Sequence, residues 1–157
     1  MTDTSVKRVK TKRKSSRTGQ IEGYILEQQV GFILRQVSQR HTTIFVDEIN
    51  DNLTPTQFSA LVKLNEVGEC SQNLLGRHTA MDAATIKGVT DRLKKRGLVD
   101  TVPDLGDKRR LLLTLTVTGK KVARKAADRA ANVTERTLAP LSESQRNTLL
   151  KLLNKLR

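Results

Sequence analysis

The sequence predicts a mainly helical α+β fold that contains one short β-hairpin. Capping signals mark the starts of several helices. One example is Thr54-Pro55-Thr56-Gln57, where Thr54 is a cap, Pro55 stands in the first turn and Gln57 completes a capping box. Residues 98–102 and 110–116 are rich in β-branched residues and leucine and flank a turn, which predicts two antiparallel strands. A chain of 157 residues is long enough for one folding unit per subunit.

The stretch from Ser71 to Thr116 organises the rest of the chain. Ser71 is placed to cap a short helix that runs through His78. A second helix is predicted from about Ala83 to Arg96, with Asp82 as its cap and Gly97 at its stop position. Two helices separated by a tight turn predict a helix-turn-helix unit.

The second helix of this unit has one apolar face and one open face. At 100° per residue, Val89 and Leu93 stay close to Ile86, which predicts a core-facing stripe. The open face begins with small side chains flanked by basic ones, and it comprises Ala84, Thr85, Lys87, Gly88 and Arg92. Such a face suits close approach to base edges in a major groove, whereas an ordinary amphipathic surface helix is the alternative.

The turn between the two predicted strands is basic at its tip. It contains Lys108 and Arg109, and Arg110 follows as the first residue of the second strand. A basic hairpin directly after a helix-turn-helix is the layout of a winged helix, in which the wing contacts a minor groove or phosphates. A short strand at Glu69-Cys70 is expected to pair with the edge of this wing.

Three motifs carry a family resemblance. They are Asp91-Arg92-Leu93-x-x-x-Gly97-Leu98-Val99, Asp104-x-x-Asp107-Lys108-Arg109-Arg110 and Leu115-Thr116-x-x-Gly119. In type and spacing they resemble the winged helix-turn-helix of the multiple-antibiotic-resistance regulator (MarR) family of bacterial transcription factors. The resemblance covers roughly residues 25–156, with Leu105 where the family often has proline and Lys108-Arg109 where it often has Arg-Arg.

The resemblance and the hydrophobic pattern together predict the domain organisation. We expect a basic disordered tail at residues 1–19 and a single MarR-like domain at 20–157. Within that domain, dimerisation helices are expected at about 20–50 and 117–157, around a winged-helix lobe at about 54–116. The segment 20–50 is predicted as one long helix that is apolar on two sides, so one side should face its own lobe and the other a second subunit.

The charge of the chain indicates a polyanionic partner. Lys and Arg number 29 against 16 Asp and Glu, which gives a formal net charge of +13. Residues 1–20 hold seven basic side chains and one acidic one, so this segment contributes +6. The tail is expected to add phosphate contacts to double-stranded DNA, and a solubilising role is the alternative.

The family resemblance also implies an effector cleft between the dimerisation helices and the DNA-binding lobe. His41 lies on the apolar stripe of the first helix between Val37 and Ile44, where it would be either a satisfied core residue or a ligand contact. Many members of the family bind phenolic or aromatic carboxylate effectors, so the resemblance implies a small aromatic acid here, of phenolic, benzoate-like or nicotinate-like type. The candidate contacts are Arg40 for a carboxylate, His41 as a donor, Phe45 as a stacking face, and Arg77 with His78 to close the cleft.

Several other functional classes receive little support from the sequence. One cysteine and two distant histidines offer no metal-binding spacing, and no glycine-rich phosphate loop is present, so we predict a protein that is not an enzyme and uses no metal or cofactor. Redox sensing through Cys70 is disfavoured because the sequence has no second cysteine that could resolve a sulfenic acid. RNA binding is disfavoured because three Phe, one Tyr and no Trp leave few rings for base stacking.

The sequence therefore predicts a homodimeric transcriptional repressor that leaves its operator when it binds a small aromatic acid. Without a long apolar segment or a signal-peptide pattern, we expect a cytoplasmic bacterial protein that associates with the nucleoid when DNA-bound and does not associate with membranes. An architectural DNA-binding protein without an effector is the main alternative, because the basic tail would also fit that function.

Overall fold

The computed structural model describes residues 23–49, 52–107 and 109–156. After a 3-10 turn at Leu26–Gln28, the described chain forms six α-helices and one two-stranded sheet. The elements are α1 (Val30–Ile49), α2 (Pro55–Val67), α3 (Gln72–His78), α4 (Ala83–Lys95), β1 (Val99–Pro103), β2 (Leu111–Leu115), α5 (Val117–Leu138) and α6 (Glu143–Lys155). The predicted mainly helical α+β fold with a winged helix-turn-helix is confirmed. The predicted basic tail lies outside the described residues.

The predicted caps lie where the sequence placed them. Thr54 and Gln57 form a reciprocal capping box at α2, and Ser142 and Gln145 form another at α6. The hydroxyl of Thr116 accepts a hydrogen bond from the Gly119 N–H at the start of α5. These bonds satisfy backbone donors that a helix leaves unpaired in its first turn, which is why they define helix starts so reliably.

The first helix is shorter than predicted. The sequence pattern predicted one helix over residues 20–50, but α1 begins at Val30. Gly23 has a left-handed backbone with φ of +77°, and Gln29 is extended with φ −82° and ψ +129°. Because neither conformation can continue an α-helix, the segment before α1 forms only a 3-10 turn.

The sheet is a single antiparallel hairpin. Val99 pairs with Leu115 at its base and Pro103 pairs with Leu111 at its tip. β1 is shifted by one residue relative to the prediction and β2 is shorter by one residue at each end, which is within the usual variation of element ends. The expected third strand is an isolated bridge, in which the N–H and C=O groups of Cys70 and Leu113 bond to each other at 3.2 and 2.8 Å.

One hydrophobic core joins the winged helix to the long helices. The most deeply buried side chains of the lobe come from α2, α3 and α4, and α5 packs on them with its small residues Ala123 and Ala126. The end of α1 adds Ile44, Phe45 and Ile49 to the same core. The DNA-binding lobe and the long helices therefore share a single packed interior.

Two apolar surfaces remain exposed in the single chain. On α1, the first half of the predicted apolar stripe is exposed, while Ile44 and Phe45 at its other end are buried. On α6, none of the described residues is buried. The exposed apolar side chains on the first half of α1, on α6 and at the C-cap of α6 are Val30, Ile33, Leu34, Val37, Leu150, Leu152, Leu153 and Leu156.

The start of α5 lies against the junction between α4 and β1. Gly119 makes the closest approach, because a Cβ atom at this position would overlap the backbone carbonyl of Leu98. The Thr116 hydroxyl reinforces the junction by donating to the Gly97 carbonyl at 2.7 Å. Gly97 itself has φ of +65°, as its predicted stop position requires.

We expect Gly119→Ala to lower the free energy of unfolding by about 3 kcal/mol, because backbone atoms on both sides must move to admit the methyl group. Urea denaturation followed by circular dichroism measures this loss. Gly31→Ala is the matched control, since Gly31 lies within α1 and a Cβ there has no neighbour within 4 Å in the chain. Equal stability of the Gly119→Ala protein and the parent chain would contradict this account of the junction.

Candidate nucleic-acid interface and effector cleft

The turn between α3 and α4 is compact. Thr79 ends α3, and the Met81 N–H donates to the Gly76 carbonyl at 2.9 Å. A Cβ at Gly76 would come within 3.1 Å of the Met81 oxygen and 3.2 Å of the Ile86 side chain. The glycine therefore allows the two helices to approach closely and fixes the direction in which α4 leaves the turn.

Helix α4 has the two faces that the sequence predicted. Ile86, Val89 and Leu93 are almost fully buried. The Asp82 carboxylate accepts the Thr85 N–H at 2.7 Å, and this backbone bond is the main reason that the pKa of Asp82 is lowered. The candidate DNA-contacting residues lie on the opposite face, where Ala84, Thr85, Lys87 and Arg92 are exposed and Gly88 is half-buried.

Two basic side chains of α4, Lys87 and Arg92, lie next to residues one turn away. Lys87 donates to the Asp91 carboxylate at 2.9 Å, and this hydrogen bond is the largest cause of the lowered pKa of Asp91. The Arg92 guanidinium lies over Gly88, so that a Cβ there would be 3.5 Å from its nitrogen. The small residues thus leave room for Arg92 to extend along the helix surface.

The wing presents arginines beyond the paired strands. Arg109 and Arg110 are exposed, and Arg110 lies 3.9 Å from the Asp104 carboxylate. The third basic residue predicted for the wing, Lys108, lies outside the described residues. The basic character of the wing therefore depends, among described side chains, on the two arginines.

Arg40 and His41 both contact the C-terminal end of α5. The Arg40 guanidinium donates to the carbonyls of Thr137 and Arg136 at 2.6 and 3.1 Å. The Nδ1 atom of His41 lies 2.9 Å from the Thr137 hydroxyl. His41 is half-buried and has a polar partner, which fits the first of its two predicted roles and leaves the ligand role as a prediction.

An open cleft of about 470 Å³ lies beside these contacts. Arg40 and Arg136 are on its wall, together with Thr43, Asp47 and other residues of α1 and α5. Arg136 was not among the residues that the sequence singled out. It pairs with Glu48 at 2.7 Å, and no sequence signal could connect two residues 88 positions apart.

Of the five effector candidates, only Arg40 lines this cleft; His41 is next to it in α1, and the other three lie elsewhere. Phe45 is 3% exposed and packs edge-on against Phe58 with ring centroids 5.4 Å apart, so its ring is already covered. Arg77 and His78 are exposed at the end of α3. Arg77 lines a different cleft between α3 and α4, which shares no residue with the cleft at Arg40. The structure does not bring the five candidates into one site.

Cys70 is buried beneath the wing. Its side chain is 4% exposed, and desolvation raises the pKa of the thiol. Because the thiolate is the form that reacts with oxidants, a buried thiol with a raised pKa is a poor redox sensor. The backbone bridge to Leu113 gives this residue a structural role instead.

The described residues also bear on metal binding and membrane insertion. Within residues 23–49, 52–107 and 109–156, no three His, Cys, Asp or Glu side chains are grouped so as to hold a metal ion. Across the same ranges, none of the helices combines the length and apolar character of a membrane span.

Comparison with known proteins assigns this fold to a family. The model of the MarR family matches residues 53–111, which cover the helix-turn-helix and the wing as far as the first residue of β2. The HTH-type transcriptional repressor NicR of Pseudomonas putida is 39% identical over 134 residues, which are 85% of each chain. This match extends well beyond the DNA-binding lobe into the long helices.

Solved structures agree with this assignment. A probable transcriptional regulator from Pseudomonas aeruginosa is 49% identical with a TM-score of 0.81, over 85% of this chain and 100% of that one. BpsR of Bordetella bronchiseptica, whose DNA binding is regulated by 6-hydroxynicotinic acid, is 36% identical with a TM-score of 0.78, over 85% and 96% of the two chains. The chain belongs to the MarR family and is a DNA-binding transcriptional regulator.

Proposed function

We propose that this regulator is a homodimeric repressor that leaves a pseudo-palindromic operator when it binds a small aromatic acid. The observation that carries the proposal is the arginine-lined cleft between α1 and α5, because the same two helices pack onto the core of the DNA-binding lobe. Two relatives support the proposal: NicR is a transcriptional repressor, and the DNA binding of BpsR is regulated by 6-hydroxynicotinic acid.

The exposed apolar faces of α1 and α6 support a dimer. Eight large apolar side chains on the first half of α1 and on α6 with its C-cap are between 40 and 75% exposed in the single chain. Covering them with the same faces of a second copy would remove this apolar area from water at about 25 cal/mol per Å². A two-fold axis between the copies would present two α4 helices to successive major grooves on one side of the DNA.

The polar surface of α4 and the wing fits two kinds of DNA contact. Lys87 projects from the open face near the start of α4, where a side chain can reach base edges. Arg109 and Arg110 extend from the wing, where they can supply charge to a minor groove or to phosphates. We therefore expect Lys87 to affect base preference and the wing arginines to affect overall affinity.

The effector cleft offers a specific route to release. A carboxylate that enters beside Arg40 and Arg136 would compete for guanidinium groups that now bind the end of α5 and the acids of α1. Occupying the cleft would then change the packing of α1 against α5, and with it the position of the attached lobe. An effector shifts the equilibrium only by its preference for the conformation that cannot bind DNA.

We expect the protein to protect two half-sites whose centres are about 10 bp apart. Footprinting on a duplex selected from a randomised pool measures the spacing, and sedimentation measures the oligomeric state. Leu153→Glu should produce a monomer with much weaker binding, whereas Asn147→Glu adds the same charge to α6 at a position outside the leucine row and should remain dimeric. Equal affinity for every duplex would favour the architectural alternative over an operator-specific repressor.

We expect Arg109→Ala and Arg110→Ala each to weaken binding by about 1 to 3 kcal/mol, and Lys87→Ala also to relax preference among operator variants. Titrations at fixed salt against a panel of single base-pair variants separate the two effects. Lys151→Ala removes one positive charge from α6 and is the charge-matched control. Full affinity of both wing variants would contradict the role of the wing, and an unaltered preference profile for the Lys87 variant would contradict base reading.

We expect His41→Ala to retain operator binding but to lose release by 6-hydroxynicotinic acid, measured by fluorescence anisotropy of labelled operator. Thr137→Val is the matched control, because it removes the polar partner of His41 and keeps the imidazole. If the acid still releases the Thr137 variant from the operator but not the His41 variant, His41 contacts the ligand. Normal release from the His41 variant, with a lower melting temperature, would make His41 a structural residue only.

A further inference from the structure

The turn at the tip of the wing carries a leucine, Leu105, whose side chain is exposed to solvent. Leu105 is 101% exposed, which is as exposed as in an extended peptide. Its side chain therefore contributes no burial to the folded chain, and the stability of the core does not account for an apolar residue at this point. The neighbouring turn residues are polar, charged or glycine, so Leu105 is the single large apolar side chain of the segment 104–110.

The described residues around Leu105 are linked by hydrogen bonds within the loop. The Asp104 carboxylate accepts the Gly106 N–H at 2.9 Å, and the Asp107 carboxylate accepts the Arg109 N–H at 3.0 Å. The Asp104 N–H donates to the Arg110 carbonyl at 3.0 Å, which extends the hairpin by one step beyond the strands. The two acids are thus engaged with the loop itself, and Leu105 projects from a defined turn.

The charge next to Leu105 favours a polyanion as the surface that it faces. Residues 104–110 contain two Asp, one Lys and two Arg, and the exposed arginines flank the turn on its β2 side. In a DNA-binding winged helix, this surface meets the phosphates and the minor groove of the DNA. The walls of that groove are sugar rings, which offer an apolar side chain a surface without hydrogen-bonding requirements.

We propose that Leu105 is an apolar DNA contact, which inserts into the minor groove beside each half-site while the wing arginines neutralise phosphates. Apolar side chains in the minor groove favour steps that unstack easily, so Leu105 should favour a pyrimidine–purine step there. This inference rests on the proposed operator binding by the wing. It assigns to one residue a contribution to affinity that is independent of charge.

The test compares Leu105→Ala with the parent chain on the duplex that the parent selects from a randomised pool. We expect affinity to fall about tenfold, because the variant lacks three carbon atoms that the parent buries at the interface. The slope of log K against log salt should stay unchanged, whereas Arg109→Ala should reduce its magnitude by about 0.9 for each phosphate that is no longer neutralised. Leu105→Met, which keeps the apolar volume, should restore affinity.

Sequence preference provides a second readout. Replacing the flanking pyrimidine–purine step by a stiff A-tract step should weaken the parent chain and leave Leu105→Ala nearly unaffected. Val117→Ala truncates another exposed apolar side chain, 73% exposed at the start of α5, and should bind like the parent. Unchanged affinity of Leu105→Ala, or a weaker affinity accompanied by a reduced salt slope, would overturn the proposal.

The same variants also separate this inference from the proposed operator. A parent chain that binds all duplexes equally would refute operator recognition. The comparison of Leu105→Ala with Val117→Ala on a random duplex would still decide whether Leu105 contacts DNA. Equal melting temperatures of the variants and the parent confirm that the differences arise at the interface and not from unfolding.

Discussion

The antiparallel pair of α1 and α5 is the constraint on which the rest of the structure depends. Arg40 of α1 donates to the last carbonyls of α5, and Arg129 of α5 donates to the Ile49 carbonyl at the end of α1. Each guanidinium thus meets the negative end of the other helix dipole and satisfies carbonyls that a helix leaves unpaired. Because α5 begins at the wing and packs on α2, this pair connects the exposed apolar faces to the DNA-binding lobe.

This connection would give the proposed release by an effector a physical basis. The cleft lies on the α1–α5 pair, and the wing begins where the Thr116 hydroxyl and Gly119 tie α5 to the junction after α4. A close-packed junction transmits a displacement because neither partner can move alone without opening a void. Arg96 adds a further link, since it donates from the end of α4 to the Asn52 carbonyl in the connection that follows α1.

The features that could be predicted from the sequence depend on residues close together in the chain. The helix starts at Ser71, Asp82 and Thr116 were predicted correctly because each cap bonds to a backbone N–H three residues later. The start of α1 was predicted wrongly, because apolar periodicity continued through Gly23 although its backbone is left-handed. Periodicity reports which face is apolar, not whether the backbone remains helical.

The sequence by itself determined the family, the helix-turn-helix with its wing, and the open face of α4, because caps, breakers and helical periodicity are local properties. Only the tertiary structure decided the surroundings of the effector candidates. It buried Phe45 against Phe58, joined His41 to Thr137, and placed Arg136 rather than Arg77 beside Arg40. The reason is physical: these partners lie far apart in the chain, and only the packing of α1 against α2 and α5 decides which side chains meet.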